Sequence, residues 1–295
     1  MVNPPFDDRD GWIWFNGALV PWREAKVHVL NHGLHYASCV FEGLRVYNGK
    51  IFKLREHSQR LIDSARLLGF ELPYTLEQIE AATRQEVEAQ KVANGYIRPV
   101  AWCGSEMMAI SARRNKVHVA IAAWEWPSYF SKEARERGLR LMLSQWARPA
   151  PNTAPTASKA AGLYMICTLS KHAAEEAGFD DALMLDWRGN IAEATGANLF
   201  LVINGELHTP TPDCFLNGIT RQTAIQLAKE ARIRVVVRHI RPEELKDAEE
   251  MFLTGTAAEI TPIGAVSAGA YGEFNYPVGP VTKRLMEAYT ALVLN

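Results

Sequence analysis

The chain has 295 residues, 48% of them hydrophobic and 22% charged, with a formal net charge of −1. This is globular composition, enough for two modest domains or one large one. It carries no basic excess to hold nucleic acid and no charge block for an anionic membrane, and no stretch approaches the roughly 20 apolar residues that cross a bilayer. The four cysteines (Cys39, Cys103, Cys167, Cys214) form no CxxC pair. They point away from a zinc ribbon or a dense disulfide scaffold and towards reduced thiols in a cytoplasmic protein. Residues 1–8 have neither the basic nor the apolar region of a signal peptide, so none is expected.

In chain order, Trp12-Ile13-Trp14-Phe15 reads as a strand that turns at Asn16-Gly17 and returns through Ala18-Leu19-Val20. Residues 41–47 and 50–53 flank a second turn, Asn48-Gly49. Leu54, Leu61, Ala65 and Leu68 recur at helical spacing, and a second helix is expected from 76 to about 93. Residues 96–103 and 117–123 read as buried strands. From 124 the texture turns aromatic and then charged. This marks an N-terminal domain over 1–123, an interdomain loop over 124–138 and a C-terminal domain over 139–295. The second domain opens with a strand at 139–143. Pro149, Pro151 and Pro155 stiffen the approach to Lys159. A helix over 164–177 follows, then strands at 182–186 and 198–203, the latter turning at Asn204-Gly205. A helix starts after Gly218-Ile219-Thr220, strands sit at 234–238 and 251–254, and an amphipathic helix closes the chain at 281–294. Hairpins with helices between them argue for α+β layers rather than strict βαβ alternation.

Lys159 lies among residues too small to carry it into solvent, Ala157-Ser158-Lys159-Ala160-Ala161-Gly162, with Tyr164 just beyond. That suggests an amine facing a cavity, where burial disfavours the charged form and frees a nucleophile or base. Glu193 sits in an alanine- and glycine-rich segment with no basic neighbour in sequence, so it must find a partner or stay exposed. Gly218-Ile219-Thr220 before a helix, and Gly255-Thr256-Ala257-Ala258-Glu259 after a strand, offer free N–H groups to an anion. Turn and cap chemistry explains either one taken alone. Arg60 is a matching cation, or a solvated arginine on a helix face. His28, His32 and His35 have helical spacing, but no carboxylate or cysteine completes a metal-ligand set nearby, so hydrogen-bonded loop roles and no metal are expected. Cys167, in an apolar helix, is a poor nucleophile. No GxSxG, P-loop or GxGxxG motif is present.

Six ordered motifs together resemble the branched-chain amino acid aminotransferases of fold type IV, which use pyridoxal 5′-phosphate. They are His35-Tyr36 with Val40-Phe41-Glu42-Gly43-Leu44-Arg45; Tyr96-Ile97-Arg98-Pro99; Asn152-Thr153-Ala154-Pro155 with Ser158-Lys159-Ala160; Glu193-Ala194-Thr195-Gly196-Ala197-Asn198-Leu199-Phe200; Gly218-Ile219-Thr220-Arg221; and Gly255-Thr256-Ala257-Ala258-Glu259-Ile260-Thr261-Pro262. The resemblance implies an α+β fold of two domains, a smaller N-terminal α/β one and a larger C-terminal one with a barrel-like sheet core. It implies that Lys159 forms the Schiff base and moves the α-proton, and that Glu193 keeps the pyridine nitrogen protonated. Arg60, Ile219, Thr220 and Thr256 would hold the phosphate, Tyr164 the phenolic oxygen, and Leu216 a ring face. Tyr36, Phe41 and Gly43 would line an aliphatic pocket closed by Trp126 and Tyr129. Thr256 and Ala257 would receive the α-carboxylate, and Tyr96 and Arg98 would let one site accept both leucine-like chains and glutamate. The reaction implied is ping-pong transfer between branched-chain L-amino acids and 2-oxoglutarate, in a homo-oligomer with sites at subunit interfaces. Residues 105–110 stand where the family often has a glycine-rich loop reaching into the neighbouring subunit's site. Ala109 replaces a glycine there beside Met107 and Met108, and Ile110 joins the substrate set.

A D-amino acid aminotransferase on the same fold carries a histidine two positions after the arginine that matches Arg98; here that position is Val100. An (R)-selective amine transaminase would lack the Tyr96/Arg98 arrangement, and an aminodeoxychorismate lyase need not keep the dual pocket. A non-catalytic binding protein would have no need to retain Lys159, Glu193 and Arg60 together.

Overall fold

The computed structural model describes residues 4–126 and 130–295. They form two compact units, one of residues 1–127 with 158–162 and one of residues 128–157 with 163–295.

The first unit begins with a hairpin of β1 (Trp12–Phe15) and β2 (Ala18–Pro21). Asn16 and Gly17 both have positive φ, as the two-residue turn requires, and Phe15 pairs with Ala18. A short helix α1 (His32–Tyr36) leads to β3 (Cys39–Phe41), β4 (Leu44–Tyr47) and β5 (Lys50–Ile51). Helices α2 (Leu54–Leu67) and α3 (Leu76–Gln90) follow, then the long strands β6 (Gly95–Cys103) and β7 (Val117–Glu125). The seven strands make one sheet in the order β2-β1-β7-β6-β4-β5, with β3 also on β6. Leu61 and Ala65 of α2, Ile79 and Ala82 of α3, and Ile97, Val119 and Ile121 of the sheet share one core. Thr75 and Gln78 form a capping box that starts α3. Helix α3 stops earlier than its apolar spacing predicts, because Lys91 turns into the left-handed region.

Residues 41–47 do not form one strand. The chain breaks between Phe41 and Leu44, where a Cβ on Gly43 would lie 1.8 Å from Tyr96 Oη. The stretch 124–138, expected as a loop, also carries regular structure. Strand β7 runs through Glu125, and the charged part beyond is helix α4 (Lys132–Arg137), capped by Ser131.

The second unit holds β8 (Leu139–Leu143), α5 (Met165–Glu176), β9 (Asp181–Leu185), β10 (Ile191–Ala194), β11 (Asn198–Ile203) and β12 (Glu206–Pro210). It continues through α6 (Ile219–Glu230), β13 (Val235–Arg238), β14 (Glu250–Gly255), β15 (Glu259–Ser267), β16 (Glu273–Asn275) and α7 (Pro280–Leu294). The order β10-β9-β8-β15-β14-β11 closes on itself, because β10 also pairs with β11. This is the barrel core that the resemblance implies. Its interior is apolar, with Leu139, Leu141, Leu183, Leu199, Leu201, Leu253 and Ile263 all fully buried. On β11 and β14, Phe200 and Phe252 stand opposite each other with rings stacked 4.9 Å apart.

Candidate active site

Lys159 belongs to the first unit. Its neighbours add a short strand-like run beside β3, where Val40 bridges Ala160 and the Phe41 N–H donates to the Lys159 carbonyl at 3.2 Å. Helix α2 holds the other side. The Lys159 N–H donates to Ser64 Oγ at 3.0 Å, and Ser158 Oγ donates to the Ser64 carbonyl at 2.9 Å. The backbone is thus fixed twice, and Nζ lies 4.9 Å from the centre of the Phe41 ring. The small neighbours have a packing reason besides the cavity argument: Ala160 is 3% exposed, and a Cβ on Gly162 would lie 3.0 Å from that of Ala37.

Arg60, also on α2, is bound to Glu42, which is fully buried. Nε donates to Oε1 at 2.5 Å and Nη2 to Oε2 at 2.9 Å. His57, one turn earlier, reaches the same Oε2 through Nδ1 at 2.7 Å, and the Gly43 N–H donates to it at 3.2 Å. Burial opposes the carboxylate's charge, but Arg60 and His57 outweigh it and hold the carboxyl well below its usual range. Burial lowers the His57 pKa against the pull of Glu42, so we take His57 as neutral, its Nδ1–H donating. Arg60 therefore supplies the balancing charge.

The substrate residues expected from sequence fall into two groups. Phe41, Gly43, Tyr96, Arg98 and Trp126 come together on β3, the break before β4, β6 and the residue after β7. Arg98 Nη2 donates to Tyr96 Oη at 3.3 Å, and its guanidinium lies 4.7 Å from the Phe41 ring centre. Trp126 meets the Tyr96 ring edge-on at 4.9 Å. Arg98 Nε is buried without a hydrogen-bond partner, a donor held in a largely aromatic setting. Tyr36 is 44% exposed on α1, with its ring 4.7 Å from that of His32, and Ile110 is 82% exposed, so neither is buried with that group. Tyr129 lies outside the described residues. The three histidines make hydrogen bonds to the main chain: His32 Nε2 with the distant Ala109 carbonyl, His35 Nε2 with that of Val29, and His28 Nδ1 with the Leu30 N–H.

The second unit holds the other expected residues. Glu193 on β10 lies with Oε1 3.4 Å from Arg148 Nε, and its Oε2 accepts from Asn198 Nδ2 at 3.1 Å. The same Nδ2 donates to the Leu216 carbonyl at 3.0 Å, while Asn198 Oδ1 accepts from the Gly218 N–H at 3.2 Å. Asn198 thus ties Glu193 to the loop before α6. That helix starts with Ile219 and Thr220, with no capping side chain and no acidic residue in its first turn. A Cβ on Gly218 would lie 2.2 Å from Asn198 Oδ1, so only glycine fits. Arg221 in the first turn is 3% exposed and donates only to neutral groups: Thr209 Oγ1, Asn217 Oδ1 and the Pro210 carbonyl. Its burial lowers its pKa to about 10. An uncapped helix start with a buried cation in its first turn presents N–H groups and positive charge suited to an anion. Thr256 and Ala257 form the tight turn between β14 and β15, closed by the pair Gly255 and Glu259. Tyr164, half-buried, stands immediately before α5. Cys167 is no nucleophile: burial pushes its thiol up to about 11.

Glu42, Ser64, Arg148, Asn198 and Arg221 were not singled out in sequence. Four of them do their work through partners remote in the chain, which no local pattern reveals. A buried-arginine reading of the Gly218-Ile219-Thr220-Arg221 motif, with Arg221 at helical spacing inside it, was the one available signal.

The family described as amino-transferase class IV matches residues 39–266. The chain belongs to the class IV aminotransferases. It is 42% identical over 290 residues to the branched-chain-amino-acid aminotransferase of Pseudomonas aeruginosa, covering 97% of this chain and 94% of that one. Two solved structures of the T.th. branched-chain amino acid aminotransferase superpose closely. The one with pyridoxamine 5′-phosphate has a TM-score of 0.90 at 40% identity, covering 97% of this chain and 95% of that one. The one complexed with N-(5′-phosphopyridoxyl)-L-glutamate has a TM-score of 0.89 at 39% identity, with the same coverage. The present aminotransferase shares its fold with these relatives over nearly all of its length. Among the described residues no helix is long and apolar enough to cross a membrane.

Proposed function

We propose that this aminotransferase binds pyridoxal 5′-phosphate on Lys159 and exchanges amino groups between branched-chain L-amino acids and 2-oxoglutarate, in two half-reactions through one site. The single observation that carries the reading is the set Phe41, Gly43, Tyr96, Arg98 and Trp126, an aromatic wall with one guanidinium in it. Such a wall accepts an aliphatic side chain by burial and a glutamate side chain through Arg98. The glutamate adduct carried by the T.th. relative agrees with the second role.

The residues present fit the cofactor. The uncapped start of α6, with Gly218 excluding a side chain and Arg221 buried behind it, suits a phosphate. Bound there, the cofactor supplies an aldehyde to capture the amine and a ring that accepts electrons from the substrate's α-carbon. Lys159 would take the α-proton at Nζ and return it. Glu193 would hold a proton at the ring nitrogen, and Tyr164 would donate to the ring oxygen. Arg60 would add a cation for the phosphate, with its guanidinium held by Glu42, and Ile219, Thr220 and Thr256 would contribute N–H or hydroxyl donors. Leu216 would cover one ring face. The Thr256-Ala257 turn would receive the substrate carboxylate through main-chain N–H groups. Tyr36 and Ile110, exposed in the single chain, fit a homo-oligomer in which they complete a neighbouring subunit's pocket.

The test is direct. Purified protein saturated with pyridoxal phosphate should show a visible band and a borohydride-reducible adduct on Lys159, both lost in Lys159→Ala. It should turn over leucine with 2-oxoglutarate. A colourless protein without the adduct refutes the cofactor reading. A coloured protein active only on D-amino acids or primary amines refutes the substrate reading.

A further inference from the structure

Glu193 is gripped by a residue to which the reading above gives no task. Arg148, in the approach to Lys159, is 4% exposed with Nε 3.4 Å from Glu193 Oε1. Its Nη1 donates to Cys167 Sγ at 3.3 Å and to the Leu163 carbonyl at 3.5 Å. Burial pushes the thiols of Cys167 and Cys214 up to about 11 and about 12, so neither offers a thiolate. Burial works against the charge of Arg148, and the polar groups around it, Glu193 foremost, together more than offset it. Arg148 therefore stands beside Glu193, to which the proposed function assigns the ring nitrogen, and interacts electrostatically with Tyr164.

We propose that Arg148 is a positioning residue of the transamination site, fixing the Glu193 carboxylate and setting the electrostatic potential at the ring that Glu193 and Tyr164 hold. The inference rests on the cofactor reading above. Its physical content has two parts. An arginine does not give up its proton, so it keeps a half-buried glutamate in the charged form that can pair with a protonated ring nitrogen. The two oxygens are also divided, Oε1 ion-paired with Arg148 at 3.4 Å and Oε2 accepting from Asn198. The same cation opposes further positive charge on the ring, and so lowers the pH at which the bound cofactor titrates.

The test reads the visible absorption of the reconstituted holoenzyme against pH, together with the melting temperature of each apoprotein. The parent chain is compared with Arg148→Met, Arg148→Lys, Glu193→Gln and the Arg148→Met/Glu193→Gln double variant. Arg148→Met should raise the titration midpoint by about one pH unit, the size expected for a charge several ångströms away at an effective dielectric of about 20. Arg148→Lys, which keeps the charge, should restore the midpoint. With Glu193 already replaced, the shift from Arg148→Met should differ from that in the parent chain, because the part that runs through the carboxylate is gone. An unmoved midpoint in Arg148→Met, or an equal shift with and without Glu193, overturns the proposal. Should Arg148→Met fail to fold, Arg148→Lys decides: a displaced midpoint with the charge retained overturns it as well. A parent protein that takes up no cofactor refutes the underlying function instead, so the two failures are distinct.

Discussion

Replacing Glu42 by glutamine puts an amide where four donors converge. Oε1 accepts from Arg60 Nε at 2.5 Å, and Oε2 accepts from Arg60 Nη2 at 2.9 Å, His57 Nδ1 at 2.7 Å and the Gly43 N–H at 3.2 Å. In either orientation the new NH2 group meets an N–H. Breaking a buried pair by removing one partner costs about 3–5 kcal/mol. The Arg60 side chain is 18% exposed and regains part of its solvation, which places the loss at about 3 kcal/mol. At about 3 °C per kcal/mol for a protein of this size, the variant should melt about 10 °C below the parent. The assay is thermal unfolding of the apoprotein by circular dichroism, at neutral pH and in acid. The sign of the pH dependence follows from the lowered pKa of the folded carboxyl. Its contribution is complete above the ordinary glutamate value of about 4.3 and fades as pH falls below it, so the gap between parent and variant should close in acid. A gap under about 2 °C at neutral pH, or one that persists unchanged in acid, refutes the reasoning.

Arg98→Ala should damage turnover of glutamate and 2-oxoglutarate by about ten- to a hundredfold, the worth of a charge-assisted contact, and leave leucine far less affected; equal losses in steady-state assays remove the dual-pocket argument. Gly218→Ala drives a methyl into Asn198 Oδ1, 2.2 Å from the Cβ position. Overpacking of about 1–3 kcal/mol should loosen both Glu193 and the start of α6, and titration of the apoprotein should show pyridoxal phosphate bound about tenfold more weakly. Glu86 accepts from the Trp14 N–H at 2.9 Å and the Ala123 N–H at 3.3 Å, and burial raises its pKa to about 8. A carboxyl raised on folding gives stability that is full below its unfolded value and lost as pH rises through its folded value. The parent should therefore lose stability between about pH 4 and 8, and Glu86→Gln should flatten that limb in urea titrations.

Much of this architecture was legible because short-range chemistry fixed it. Asn16-Gly17, Asn48-Gly49 and Asn204-Gly205 each turn a hairpin, and all three asparagines have positive φ. The strand β15 was not legible, because Pro262 and Gly264 punctuate its sequence. The sheet tolerates them through a register shift against β8 beside Gly264. Helix α4 was hidden by its length and charge. Among the site residues, the start of α6 was legible from its own glycine and threonine, and the aromatic wall through the family resemblance. The paired partners were not: Glu42 finds His57 and Arg60, and Glu193 finds Arg148, only once the chain has folded. Lys159 was legible as chemistry, but its placement against α2 was not, since Ser64 carries no sign that it will receive a backbone N–H from so far along the chain.

The five residues around Lys159 complete a body whose other members were all made before residue 128. On the ribosome, the N-terminal unit therefore emerges with an unfilled place beside Val40 and Ser64, and waits while residues 128–157 are synthesised. Contacts of such long sequence separation are slow to form. A fragment ending at residue 127 would lack its own last piece, so the two halves cannot be parted by one cut. The amine to which the proposed chemistry is assigned is thus among the last groups of its unit to be made.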